Sequence, residues 1–119
     1  MLNTAAATPT TAAQSTIAHD ELKGCAFVDP PRLVDGALAT AAEMQRLTDQ
    51  IHDYVESMQQ SLACLDRLLA NPVTRTERQS LEAIYNNGVD QLNFVVGEYN
   101  KQVRTYRMTL RVPDVHENP

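Results

Sequence analysis

The sequence predicts an all-α chain: a long antiparallel two-helix hairpin of coiled-coil type with an extended N-terminal arm. Three observations carry that expectation: two capping boxes, two long apolar stripes that advance in steps of three and four, and a short Pro-containing connector between them. The composition agrees. The chain has 119 residues, 43% of them hydrophobic, with 4 Gly and no Trp, which fits one helix-leaning domain.

The first 24 residues differ from the rest. Met1 to Ile17 is almost wholly Ala, Thr, Ser, Pro and Asn, without a charge. So little bulky apolar content cannot offset the entropy of ordering, and residues 1–24 are expected to form a disordered tail. The tail lacks the positive n-region and continuous apolar h-region of a signal peptide. Ala5-Ala6-Ala7 followed by Thr8-Pro9-Thr10-Thr11 nevertheless resembles a cleavage site and the start of an exported mature chain.

Residues 25–38 form the arm, the first part of a helical domain expected over 25–112. Pro30-Pro31 forbids helix and biases Asp29 to extended backbone. Asp35-Gly36 marks a turn. Phe27, Val28, Leu33 and Val34 are the expected anchors.

Thr40-Ala-Ala-Glu43 is the first capping box. The stripe behind it reads Met44, Leu47, Ile51, Tyr54/Val55, Met58, Leu62, Leu65 and Leu68/Leu69, which predicts a helix over 41–69, ending before Asn71-Pro72. Thr74-Arg-Thr-Glu77 is the second box. Its stripe reads Leu81, Ile84/Tyr85, Val89, Leu92, Val95/Val96, Tyr99, Val103, Tyr106 and Leu110, which predicts a helix over 75–111, stopped before Pro113, with a flexible C-terminus at 113–119. Asn86-Asn87-Gly88 could make a turn, but the stripe keeps its phase across it. A continuous helix with a soft spot is expected, at a cost of about 1 kcal/mol for Gly relative to Ala.

Two long helices with so short a connector must lie antiparallel. The hairpin brings Glu43, Asp49, Asp53 and Glu56 of the first helix toward Lys101, Arg104, Arg107 and Arg111 of the second, so these charges are expected to face one another. Each sign also sits at the helix end that its dipole favours.

The two cysteines fit the same layout. The arm from Cys25 to Leu38 spans roughly 40 Å when extended, and the helix from Ala41 to Cys64 rises roughly 35 Å. An arm folded back along the first helix would therefore place Cys25 beside Cys64. A bridge there would staple the arm to a hairpin with little core of its own, by about 4 kcal/mol in chain-entropy reasoning, and would imply an oxidising compartment. The alternative is two buried thiols in a cytosolic protein.

Several of these residues occur in a familiar order: Cys25 and the Pro-Pro arm, Val34-Asp35-Gly36, Ala39-Thr40, Glu43-Met44, Tyr54-Val55, Cys64-Leu65, then Tyr85-Asn86-Asn-Gly-Val89-Asp90 and Tyr99-Asn100-Lys-Gln-Val103-Arg104. Over residues 25–108 the chain resembles a group of small exported proteobacterial proteins of unknown function. The stretch from Tyr99 to Tyr106 alone also resembles the last helix of LemA proteins. The first resemblance implies a periplasmic or secreted protein; it implies no activity, cofactor or catalytic residue.

The candidate chemistry is sparse. Fifteen acids against ten bases give a net charge of −5, which argues against a dedicated nucleic-acid binder. No apolar run is long enough to span a membrane. Asp49, His52, Asp53 and Glu56 share one helical face and are the weak candidate for a metal set; a solvated acidic face is the preferred account. Tyr85-Asn86 and Tyr99-Asn100 recur fourteen residues apart, two heptads. With Tyr106 they could recognise a protein partner, although a packed seam with Tyr hydroxyls at its edge is the simpler account. The sequence shows no phosphate-binding loop, nucleophile–base set or cofactor motif.

A non-enzymatic protein acting by protein–protein contacts in the envelope or outside the cell is therefore expected, with a cytosolic helical adaptor as the alternative. Both stripes are wide enough to leave a flank exposed, so a second copy is among the expected partners.

Overall fold

The computed structural model describes residues 25–71 and 73–117, with side chains as far as Leu110. The tail expected at 1–24 lies outside the described residues. The described chain holds two α-helices packed against each other as a hairpin, α1 (Ala41–Ala70) and α2 (Arg75–Glu117), and no strand. Neither helix is long and apolar enough to cross a membrane.

Both helices start where their boxes place them. The Thr40 amide donates to Glu43 Oε1 at 2.8 Å, and the Glu43 amide donates back to Thr40 Oγ1 at 3.1 Å. Thr74 and Glu77 repeat the exchange at 2.9 and 3.1 Å. Each box pairs two amides that the first helical turn leaves without a partner. The other end of α1 is closed from across the connector, where Arg78 Nη2 donates to the Leu69 carbonyl at 3.1 Å.

The expected stop before Pro113 is not where α2 ends, because the helix continues to Glu117. Pro113 forfeits one backbone bond, but its fixed φ is itself helical, so a long helix can carry it near its end. Residues 113–117 therefore belong to α2 rather than to a separate C-terminal segment.

The chain packs as two compact units, each drawn from the arm and both helices. In the first, residues 25–27 join Gln59–Val89. Its core is Cys25, Leu65 and Leu81, with Phe27, Leu68, Leu69, Val73, Ile84 and Tyr85 against it. Cys25 and Cys64 lie at disulfide distance, their Cα atoms 5.2 Å apart. The Ser61 hydroxyl donates to the Ala26 carbonyl at 2.8 Å, fixing the arm's backbone beside the cysteine pair. Gly88 is buried, and a Cβ there would fall on the Phe27 ring. The soft spot in α2 is thus the seat of an aromatic anchor, and the helix runs through it unbroken.

In the second unit, Val28–Met58 joins residues 90–117. Met44, Leu47, Ile51, Tyr54, Met58 and Val95 form its buried interior. The turn expected at Asp35-Gly36 forms. The Leu38 amide donates to the Asp35 carbonyl at 3.0 Å, and the Ala37 amide donates to Asp35 Oδ1 at 2.9 Å. Gly36 then lies directly on the backbone of α2. Its amide donates to Gln102 Oε1 at 2.8 Å, and a Cβ would collide with the Gln102 carbonyl. Of the four expected arm anchors, Phe27, Leu33 and Val34 are partly buried, whereas Val28 is exposed.

Candidate interaction surface

Two cross-helix hydrogen bonds set the register of the second unit. Thr48 Oγ1 and Tyr99 Oη are 2.7 Å apart, and Gln91 Nε2 donates to Tyr54 Oη at 3.2 Å. That register corrects the expected charge pairing. It sets the acids between Asp49 and Glu56 level with roughly residues 90–97, and the bases from Lys101 onward level with roughly residues 39–45, since both helices climb at the same rise per residue. Asp49, Asp53 and Glu56 are thus displaced along the hairpin from the bases, whereas Glu43 comes level with about residue 103 and accepts instead from the Thr40 amide. Among the described residues the ion pair formed is Lys101 Nζ–Glu98 Oε2 at 3.0 Å, inside α2.

The same register opens a groove of about 540 Å³ along one flank of this unit. Ala41, Met44, Gln45 and Thr48 line it from α1, and Tyr99, Val103, Tyr106, Arg107 and Leu110 line it from α2. Leu110 is 54% exposed at its edge. The arm lies along another side of α1. There it leaves two smaller hollows, of about 250 and 280 Å³, between Pro31 and residues such as Leu47, Gln50 and Tyr54. Within this unit the arm thus lies against one side of α1 and the groove runs along another, with the buried Met44 at its floor.

The residues singled out for recognition fall in two places. Tyr99 and Tyr106 line the groove, with the Tyr99 hydroxyl held by Thr48. Tyr85 packs instead against the core of the first unit, and Asn86 and Asn100 are exposed. Asp49, His52, Asp53 and Glu56 are all exposed, and Asp49 accepts from Gln45 Nε2 at 3.1 Å. Among the described residues no three His, Cys, Asp or Glu side chains gather as a metal set.

Three features were not singled out in the sequence. Gln102 receives the arm's turn. Phe94 and Met108, off the inward stripe, stand 68% and 65% exposed. The signal for the first was present in Asp35-Gly36, because a glycine turn facing a helix implies close backbone approach. Comparison with known proteins adds no neighbour: no family model, curated protein or solved structure matches the chain.

Proposed function

We propose that this chain is a non-enzymatic binding protein of an oxidising compartment, the bacterial envelope or the exterior. In this reading the cysteine pair staples the arm, and the open flank of the hairpin receives a protein partner. The observation that carries the proposal is the packing of the pair. Cys25 is 2% exposed in the core of the first unit, beside its partner and behind Phe27. A staple at that position holds the start of the arm against α1 within the first unit. The groove fits a partner better than a small substrate. It is an open trough floored by the buried Met44, with Val103, Leu110 and two tyrosine rings along it, the composition from which protein contacts are built.

The test is made on protein from its native host. Thiols are alkylated before reduction, and the intact mass and N-terminal peptide are read together. The expected result is an alkylation-resistant Cys25–Cys64 bridge on a chain recovered from the envelope or medium. Two freely alkylated cysteines on cytosolic protein would overturn the proposal and leave a cytosolic adaptor in its place.

A further inference from the structure

The outward side of α2 carries a second regular stripe. Asp90, Phe94, Gly97, Lys101, Arg104 and Met108 follow one another in steps of four, three, four, three and four, and all six are exposed. At about 100° per residue they share one face. Alternating steps of three and four are the spacing with which one helix seats against another. Phe94 and Met108 are the large apolar members, each about two-thirds exposed. Gly97 is an open notch, with no heavy atom within 4 Å of where a Cβ would stand. Lys101 pairs with Glu98 one turn before it, and packing within the chain accounts for none of the other five choices.

The stripe has the same spacing read from either end. Reversed about its midpoint between Gly97 and Lys101, it sets Asp90 on Met108, Phe94 on Arg104 and Gly97 on Lys101. A second α2 laid parallel would instead put Lys101 on Lys101, Arg104 on Arg104 and Asp90 on Asp90. Only the antiparallel arrangement opposes unlike groups.

We propose that α2 pairs antiparallel with α2 of a second copy, across a two-fold axis near residue 99. Each Phe94 ring lies against the partner's Arg104 guanidinium, a cation–π contact made twice by symmetry. Each Gly97 notch admits the stem of the partner's Lys101. Each Asp90 carboxylate comes within one helical turn of the partner's Arg104, while Met108 covers the ends. The stripe from Asp90 to Met108 is roughly 27 Å long, at the small end for a specific interface, so association in the micromolar range is expected. The proposal deepens the contact function above by naming one partner, on a face other than the groove.

The experiment uses the full chain with its cysteine pair intact. Sedimentation across micromolar to millimolar concentration should show a monomer–dimer equilibrium. Phe94→Ala and Arg104→Ala should each weaken it roughly tenfold, as the loss of two symmetric cation–π contacts predicts. Both side chains are exposed, so the circular dichroism of either variant should match the parent. With Phe94 replaced by photoreactive benzoylphenylalanine, mixed heavy- and light-isotope copies should crosslink between chains, at the peptide around Arg104. A chain that stays monomeric throughout overturns the proposal, even if it binds anionic phospholipid vesicles through the same cations. A dimer indifferent to both substitutions, or crosslinked elsewhere, overturns it equally. None of these outcomes bears on the state of the cysteines, so the proposal above stands or falls separately.

Discussion

Phe27 and Gly88 form one device. The ring occupies the space that any other side chain at 88 would need. Gly in a helix interior costs about 1 kcal/mol relative to Ala, and burying most of a Phe side chain returns about 2 kcal/mol. The two substitutions should therefore be coupled in sign. Gly88→Ala alone should destabilise the chain by about 1–2 kcal/mol, because the new methyl displaces the ring. In a Phe27→Ala background the same change should stabilise it by about 1 kcal/mol, since only the helix propensity is left. Urea unfolding of the four chains closes the cycle. Equal effects in both backgrounds would show that the ring does not rest there. Half of the device was legible in the sequence: Phe27 reads as an anchor and Gly88 as a soft spot, but nothing in the residue order joins positions 61 apart.

The helices themselves are local objects. Two reciprocal boxes start them, and their stripes carry them onward, which is why both starts were readable residue by residue. The arm is different. It has no ladder of its own and is held by docking, at Phe27 and Ala26 in one unit and at Gly36 in the other. At Gly36 the obstacle is the backbone of α2, which cannot swing aside as a side chain can. Gly36→Ala should accordingly cost about 2–3 kcal/mol and abolish the Gln102 contact. Hydrogen exchange should then show faster exchange at the Gly36 and Ala37 amides, while the capped start of α1 keeps its protection. An arm equally protected in both chains would show that the close approach is not needed.

The molecule as a whole depends on a small core. The first unit buries Cys25, Leu65 and Leu81 with a rim of partly exposed side chains. A chain of this size gains from a covalent constraint. The cysteine pair is separated by 39 residues, and closing a loop of that length stabilises by about 4 kcal/mol through the unfolded state. Reduction should therefore lower the thermal midpoint substantially and release residues 25–27 first. Thermal unfolding with and without a thiol reductant measures the first, and exchange of the Phe27 amide measures the second. A midpoint unmoved by reductant would show that the pair adds no constraint. The displaced charges matter at this scale too. Acids and bases that do not meet across the hairpin stand at its surface, and Lys101 and Arg104 are the bases that lie on the outward stripe of α2.

The sequence by itself determined the all-α hairpin, the two capped starts, the course of both stripes and the layout that brings Cys25 to Cys64. Each follows from local chemistry or from chain length along a known element, and needs no knowledge of what lies opposite. Tertiary structure decided what depends on opposition. It set the helical register through Thr48–Tyr99 and Tyr54–Gln91, and so kept Asp49, Asp53 and Glu56 from the bases. It seated Phe27 on Gly88 and Gly36 on Gln102, and it carried α2 past Pro113. It also split the tyrosines between a packed core and an open groove. The physical reason is common to all of these. Hydrogen-bond registry and steric approach between segments distant in sequence are properties of pairs of surfaces, and a single residue's type carries only half of each pair.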